Sequence, residues 1–490
     1  MQQFDLVVIG SGPGGYKAAL NAVHLGARVA LIERDQFGGN CLNHGCIPKK
    51  TLLHMATLME RINELDGRGL VGRVQGDFLA ALQRKDEVLR AMRATFMPWL
   101  TRMGVKVYLG EAAFVAPDRL RIVPMDDAGP FEIGALRTVI ATGSVPRELP
   151  GCPTDGQRVF NSRQLLSARQ AVQGSILCIG GGAVGVELGY MLHQFGAQVR
   201  LIEQGERLLP GNHGVSDRAA QVLERKLVRI GVQVDKNLTV QQVRGHGSRL
   251  EVVFADASTA ECDHVLVAVG RTPHTRGLGL EQLGVHTDDE GFILTDACLE
   301  TSVAGIYAVG DVKRSPMAAP MTAAVAMHDG KVAAINALTD NRVQANYFTV
   351  PFVIHSALEM AFVGLTEEQA EQAGFSEEVA RSNLGGSGKS RACHDLEGFI
   401  EMVHDGETGQ LLGGGIVAPE AGEQVHMMCA ALQSHQGLWF FKEMNYSHPS
   451  WCEEMETTVD PSAQGFSRSS EIIFRPGIYA GISVHSAKVS

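Results

Sequence analysis

The chain has 490 residues and a net charge of −11, with 43 lysines and arginines against 54 aspartates and glutamates. The basic residues are scattered, which argues against nucleic acid as a partner; the densest group, Arg225, Lys226 and Arg229, reads as the solvated face of a helix. At 45% hydrophobic and 20% charged residues this is an ordinary folded composition with material for about three domains, and nine cysteines without a repeating framework make neither a disulfide scaffold nor a zinc site.

Phe4 to Ile9 reads as a buried parallel strand close to the start, which leaves no room for a targeting segment, so the cytoplasm is the expected location. Gly10-Ser11-Gly12-Pro13-Gly14-Gly15 follows, then a helix through Ala18 and Val23, then a strand from Val29 to Ile32 that ends at Glu33. Strand, G-x-G-x-x-G, helix, strand and acid form a dinucleotide-binding signature. Gly10 makes the tight turn, and Gly12 lets backbone amides approach a pyrophosphate at the helix N-terminus. Gly15 allows close helix–strand packing, and Glu33 accepts from a ribose diol.

Next comes Gly38-Gly39-Asn40-Cys41-Leu42-Asn43-His44-Gly45-Cys46-Ile47-Pro48-Lys49-Lys50. An unbroken helix would separate Cys41 and Cys46 by about 7.5 Å along its axis and roughly 140° around it. A disulfide wants its Cα atoms about 5.5–6 Å apart. If these two bond, the backbone is distorted here, and Gly45 makes that cheap. Two readings stand at this point: a redox pair, or two small buried thiols.

Thr138 to Gly143 is a strand running into a glycine. The nucleotide signature then repeats: a strand Ser175 to Ile179, Gly180-Gly181-Gly182-Ala183-Val184-Gly185, a helix through Leu192, and a strand Gln198 to Ile202 ending at Glu203. Ile176 to Leu192 is the longest apolar run, but glycines and Glu187 break it short of the ~18–20 residues of a membrane span. Two such units in one chain imply two nucleotides held at once, with electrons passing between them. Glu203 would repel a 2′-phosphate, so the second site favours NAD over NADP. Arg200, three residues earlier, points to the opposite face of an alternating strand.

Val265 to Val269 leads into Gly270-Arg271-Thr272-Pro273, and Gly305 to Gly310 is a strand that ends at Asp311. Asp311 reads as a ligand at the sheet's crevice or as a helix N-cap. An Ala-rich helix follows, from about Ala318 to Leu338. From Tyr347 the pattern changes to short apolar segments (Val350 to Ile354, Ala361 to Val363, Gly398 to Val403, Gly413 to Val417) between helical stretches, an α+β domain with an antiparallel sheet. Near its end stands His448-Pro449-Ser450-Trp451-Cys452-Glu453-Glu454. Pro449 can open a helix there. His448 reads as a general base oriented by Glu453 or as a histidine packed at a helix start, and Cys452 as a small filler in that helix or a third redox thiol. The last residues, rich in Ser and Gly, are expected to be irregular.

In this order the motifs resemble the pyridine-nucleotide disulfide oxidoreductases, and among them the dihydrolipoamide dehydrogenases, over roughly residues 4 to 465. The resemblance implies an α/β fold with two Rossmann-like dinucleotide-binding domains and a C-terminal α+β dimerisation domain. Residues 1–146 with 275–345 would bind FAD, 147–274 NAD, 346–465 would form the interface of a homodimer, and 466–490 a tail. It implies that Cys41 exchanges with substrate and Cys46 lies beside the flavin. Lys50 would lie against the flavin and pair with Glu187. Thr142 and Gly143, Asp311, Ala319 and, in a Gly110-Glu111-Ala112 turn, Ala112 would serve FAD; Gly180, Gly182, Gly185, Glu187, Glu203, Gly270 and Arg271 complete the cofactor set. His448 and Glu453 of one subunit would serve the cysteines of the other, and the partner would be a lipoylated carrier protein or lipoyl domain, with no nucleic acid and no membrane. The implied reaction is oxidation of dihydrolipoamide with reduction of NAD.

The chain departs from the family at Tyr446 (a second His), Ser356 to Glu359 (Thr-x-Pro-Glu), Ala318-Ala319-Pro320 (Leu-Ala-His) and Lys49 (Ser). The alternatives are a glutathione- or mercury-type reductase and, from another class, a flavin-bearing assembly subunit without catalysis. Glu203 argues against NADP-dependent enzymes, no terminal cysteine pair suits mercury, and Cys41, Cys46, His448 and Glu453 together argue against loss of catalysis.

Overall fold

The computed structural model describes residues 1–126, 128–211, 214–316 and 319–459. The tail expected at 466–490, residues 460–465 and Ala318 lie outside them. The chain forms two compact units. One comprises Met1–Gly180, Met191–Ala197 and Val240–Ala345; the other comprises Gly181–Tyr190, Gln198–Thr239 and the chain from Asn346 on.

In the first unit, β1 (Gln2–Ile9) leads into α1 (Pro13–His24) and β2 (Val29–Glu33). β1 pairs in parallel with β2, Leu6 opposite Val29 and Ile9 opposite Ile32. After α2 (Gly39–His44), α3 (Cys46–Glu64) and α4 (Phe78–Arg102) the chain returns as β3 (Lys106–Ala116), β4 (Arg119–Pro124) and β5 (Phe131–Ile140). β3 lies parallel beside β2, β5 parallel beside β1, and Ile306–Ala308 parallel beside β5, so the nucleotide signature sits in a parallel sheet. The outer parts of β3, β4 and β5 form an antiparallel meander. Strict alternation explains β4, where Leu120 and Ile122 enter the core and Arg119, Arg121 and Val123 face out. The core beneath is Phe4, Val7, Ile9, Ile32, Ile122, Ile140 and Ile306.

The break between α2 and α3 falls at Gly45, the place where the sequence made a distortion cheap. Its φ of −133° and ψ of −105° interrupt the helix, and a Cβ there would lie 2.9 Å from the Asn40 side chain. The helix Ala323–Leu338 starts later than the sequence suggested. Thr322 caps it by accepting from Val325 N–H, and Asp311 stands in a separate 3-10 turn, Gly310–Val312. In the same unit His264–Val267 lies between Ser175–Ile179 and Val159–Asn161, parallel to both.

In the second unit, Gln198–Ile202 pairs in parallel with Gln233–Asp235. Arg200 is held by Asp235 at 2.7 Å, which takes its charge away from Glu203. The basic cluster near 225 is not a purely solvated face: Lys226 is buried, and Arg229 pairs with Glu397. From Phe352 onward five strands form one antiparallel sheet, in the order Phe352–His355, Glu359–Gly364, Leu411–Val417, Phe399–Asp405 and Glu377–Asn383. The helix Ala421–Gln433 covers it, with Val425, Met428 and Leu432 in the core.

Candidate functional site

Both glycine turns have the conformation their chemistry needs. Gly10 has φ +102° and Gly180 φ +107°, and a Cβ at either would lie 2.5 Å from a carbonyl oxygen, of Ala141 or of Ala268. A Cβ on Gly15 would fall 1.9 Å from Gly10 O, so the end of β1 can come this close to α1 only at a glycine. Gly12 and Gly182 differ. A Cβ on Gly12 would meet only Gly39 at 4.0 Å, and one on Gly182 nothing within 4 Å, which leaves the backbone open to a phosphate at each helix N-terminus. Gly185 is buried inside the helix Ala183–Gln194.

The two acids repeat one another's contacts. Glu33 Oε2 accepts from Ser11 N–H at 3.0 Å and Oε1 from Asp35 N–H at 2.9 Å. Glu203 Oε2 accepts from Gly181 N–H at 2.7 Å and Oε1 from Gly205 N–H at 2.8 Å. Each carboxylate therefore ties the glycine turn to the end of the second strand. Ser11 Oγ adds a bond to Glu33 at 2.6 Å and accepts from Gly38 N–H at 2.9 Å, which links the first turn to the start of the cysteine segment.

Cys41 lies in α2 and Cys46 opens α3. They are thiols near disulfide distance, and the Cys41 side chain is hydrogen-bonded to Cys46. That bond, with burial, holds the Cys41 thiol far above the usual thiol range, while the Lys49 charge opposes it. Cys46 stands at the N-terminus of a 19-residue helix, where exposed amides and the dipole favour a thiolate.

Arg271 also belongs to this side of the molecule. Its Nε donates to Ser144 Oγ at 2.6 Å, and that hydroxyl donates to Asp311 Oδ2 at 2.6 Å. Burial pushes the Arg271 guanidinium down, and the Asp311 carboxylate and the Cys46 sulfur push it back. Arg271, Ser144 and Asp311 thus form one hydrogen-bonded group, with the Cys46 sulfur close enough for its charge to act on Arg271. Thr142 Oγ1 donates to His274 O at 2.7 Å, and Gly143 O accepts from His274 N–H, so this loop is braced to the segment after Gly270. Lys50 lies on α3, exposed, and Ala319 is half-buried in the loop before Thr322.

Three expectations need correcting. Ala112 is not in a turn: it sits in β3 opposite Ile122. Pro449 does not open a helix. The His448–Pro449 peptide is cis, residues 449 to 453 form turns in which Ser450 Oγ accepts from Glu453 N–H, and the helix is Glu454–Val459. Cys452 is accordingly in a turn, half-buried, and not a helix filler. His448 and Glu453 nonetheless meet, with Nδ1 2.9 Å from Oε2.

In the second unit Glu187 is buried, and its Oε1 accepts from His355 N–H at 2.9 Å. Ser356 Oγ donates to Val186 O at 2.8 Å. Tyr446 donates to Phe441 O at 2.8 Å and packs against the core. Sequence reasoning passed over Asn43, a buried side chain between the two cysteines, and Arg93, which donates to it. The signal in the sequence was weak, because Lys85 also puts a charge on the buried face of that helix.

Comparison with known proteins bears on the whole arrangement. Residues 4–330 match the pyridine nucleotide-disulphide oxidoreductase model, and 350–459 its dimerisation domain. The chain belongs to this family. It is 37% identical over 439 residues to a dihydrolipoyl dehydrogenase of Thermus scotoductus, covering 88% of this chain and 92% of that one. It is 33% identical over 449 residues to dihydrolipoyl dehydrogenase 3 of Pseudomonas putida, covering 88% and 92%. Among solved structures, LpdA of Mycobacterium tuberculosis superposes with a TM-score of 0.85 at 25% identity, over 94% of this chain and 99% of that one. The HOCl-induced flavoprotein disulfide reductase RclA of Escherichia coli gives 0.82 at 26%, over 94% and 100%. As a pyridine nucleotide-disulphide oxidoreductase it is an NAD-dependent enzyme acting on a sulfur group, with FAD and NAD as cofactors. The open backbone at Gly12 and Gly182 and the acids Glu33 and Glu203 fit two dinucleotides. The dimerisation domain makes it a homodimer. Among the described residues no helix is long and apolar enough to cross a membrane.

Proposed function

We propose that this enzyme is a dihydrolipoyl dehydrogenase that oxidises a protein-bound dihydrolipoyl group and reduces NAD, and that it acts in the cytoplasm. The observation that carries the reading is the hydrogen-bonded Cys41–Cys46 pair at the start of α3, in a chain whose His448 is held by Glu453. The residues assigned to the cofactors from sequence keep those roles in this proposal, including Lys50 beside the flavin. So does the division into 1–146 with 275–345, 147–274 and 346–465.

The chemistry follows from the side chains. With Cys41 and Cys46 as a disulfide, His448 of the partner copy takes a proton at Nε2 from one substrate thiol while Glu453 holds the proton on Nδ1. The His448 side chain is 78% exposed, so it can serve a site outside its own chain. The substrate thiolate attacks the Cys41 sulfur, an S–S bond forms, and Cys46 leaves as a thiolate at the α3 N-terminus. The second substrate thiol then displaces Cys41: Cys41 takes up the proton that His448 had accepted, the proton of the second thiol passes to His448 in its place, and Cys46 stays a thiolate. The substrate leaves as a cyclic disulfide, and two electrons remain on the cysteines. Bound FAD supplies the relay of those electrons to the nicotinamide.

NAD reduction by dihydrolipoamide, assayed beside oxidation of NADPH by glutathione disulfide and by mercuric ion, tests the reading. Turnover with the dithiol and NAD supports it. A preference for glutathione disulfide or mercuric ion would replace it with the reductase alternative. Lipoylated proteins recovered with the enzyme would identify the carrier.

A further inference from the structure

α4 turns one face inward through Phe78, Ala81, Leu82, Lys85, Leu89 and Leu100, a buried helix face that is apolar apart from Lys85. Arg93 falls on this face, four residues beyond Leu89, and is the second charge on it after Lys85. Its Nε donates to Asn43 Oδ1 at 2.6 Å. Asn43 is 4% exposed and lies between the two cysteines. Its Nδ2 is 3.1 Å from Gln36 O, 2.9 Å from Phe37 O and 2.9 Å from Gly39 O, so three carbonyls share two hydrogens. The amide thereby binds the last turn of α2 to the backbone that enters it, and the bond from Arg93 anchors the amide from another helix. A donor with a full charge makes this the strongest of the four contacts, and its removal would strand a buried acceptor.

We propose that Arg93, acting through Asn43, is a positioning residue that sets the redox equilibrium of the Cys41–Cys46 pair. Forming the disulfide closes a short loop, and its cost is the freedom that the loop loses. A loop already held with both sulfurs adjacent loses less, so the Arg93–Asn43 bond favours the disulfide over the dithiol. Each exchange with an external disulfide moves two electrons and two protons: the S–S bond between Cys41 and Cys46 forms as the external one is reduced to a dithiol. The inference rests on the cysteine pair being the redox couple of the proposed function and extends that reading to what tunes the couple.

The test equilibrates the FAD-loaded enzyme with graded mixtures of reduced and oxidised dithiothreitol. Thiols are then trapped by alkylation, and the peptide bearing both cysteines is weighed. Neither dihydrolipoamide nor NAD is needed, so the result does not depend on the natural substrate. Arg93→Met should shift the equilibrium three- to tenfold toward the dithiol, up to about 30 mV in potential. Arg93→Lys, which keeps the charge without the guanidinium geometry, should fall between Met and the parent. If Arg93→Met loses FAD, Asn43→Asp carries the test: it keeps the acceptor for Arg93, loses the three carbonyl contacts and should shift the same way. Equilibria for these variants within experimental error of the parent would overturn the positioning role alone. A parent enzyme that forms no disulfide at any ratio would overturn the redox-couple reading as well.

Discussion

His448 Nδ1 lies 2.9 Å from Glu453 Oε2, although the two residues are joined by a turn and not by the helix that their spacing suggested. A carboxylate on one ring nitrogen fixes the tautomer and leaves the other nitrogen for proton transfer. His448→Gln should therefore slow dihydrolipoamide oxidation by about 10²- to 10⁴-fold. Glu453→Gln, which keeps a hydrogen-bond acceptor without the charge, should cost roughly tenfold. Steady-state rates, with reduction of an artificial dye by NADH as the control that bypasses the dithiol, check both; the dye rate should not change.

Cys46 opens α3, and the charge of its thiolate acts on the Arg271 guanidinium. Cys46→Ser should keep FAD bound while it removes the long-wavelength thiolate–flavin absorption and the turnover of dihydrolipoamide. Absorption spectra of the partly reduced protein read this directly. The equivalent change at Cys41 should keep the absorption and lose only the turnover.

Glu203 both repels a 2′-phosphate and holds the Gly181 and Gly205 amides. Glu203→Ala strands two amides around a buried position and should cost about 2 kcal/mol of stability in urea unfolding. Glu203→Gln keeps an acceptor and should narrow the preference for NAD over NADP by about tenfold, a difference near 1.4 kcal/mol. Initial rates with each coenzyme give the ratio.

His44 sits between the cysteines with both ring nitrogens buried. Burial, reinforced by Arg163, pushes its imidazole down from 6.5 to about 4. Between those values the unfolded chain binds the proton and the folded one does not, so stability rises with pH across this window. As pH falls from about 6.5 toward 4, the contribution of His44 is progressively lost, by about 1 kcal/mol after allowance for the solvent that reaches the ring. Urea midpoints measured across this range should fall less steeply in His44→Leu than in the parent.

The parts of the fold and site that could be read from sequence are those where backbone geometry restricts the residue type. Gly10 and Gly180 are required by positive φ and by carbonyls 2.5 Å from any Cβ, and a break at Gly45 is the expectation if Cys41 and Cys46 pair. Glu33 and Glu203 are marked by their place at strand ends. Glu377–Asn383 was missed because this edge strand is polar, with Ala380 as its buried residue. Ala112 looked like a turn because Gly110 precedes it, yet Gly110 lies within the β3–β4 ladder. Pro449 carried the helix-start signal of its type, but Ser450 and Glu453 close a turn first. The Arg93–Asn43 contact joins positions fifty residues apart, and only the tertiary fold brings them together.

The account is tested most directly by mixing the FAD-loaded enzyme anaerobically with dihydrolipoamide and NAD, parent beside Cys46→Ser, and following NADH formation. It predicts steady NADH production by the parent and none by the variant. Undiminished NADH production by Cys46→Ser would contradict it.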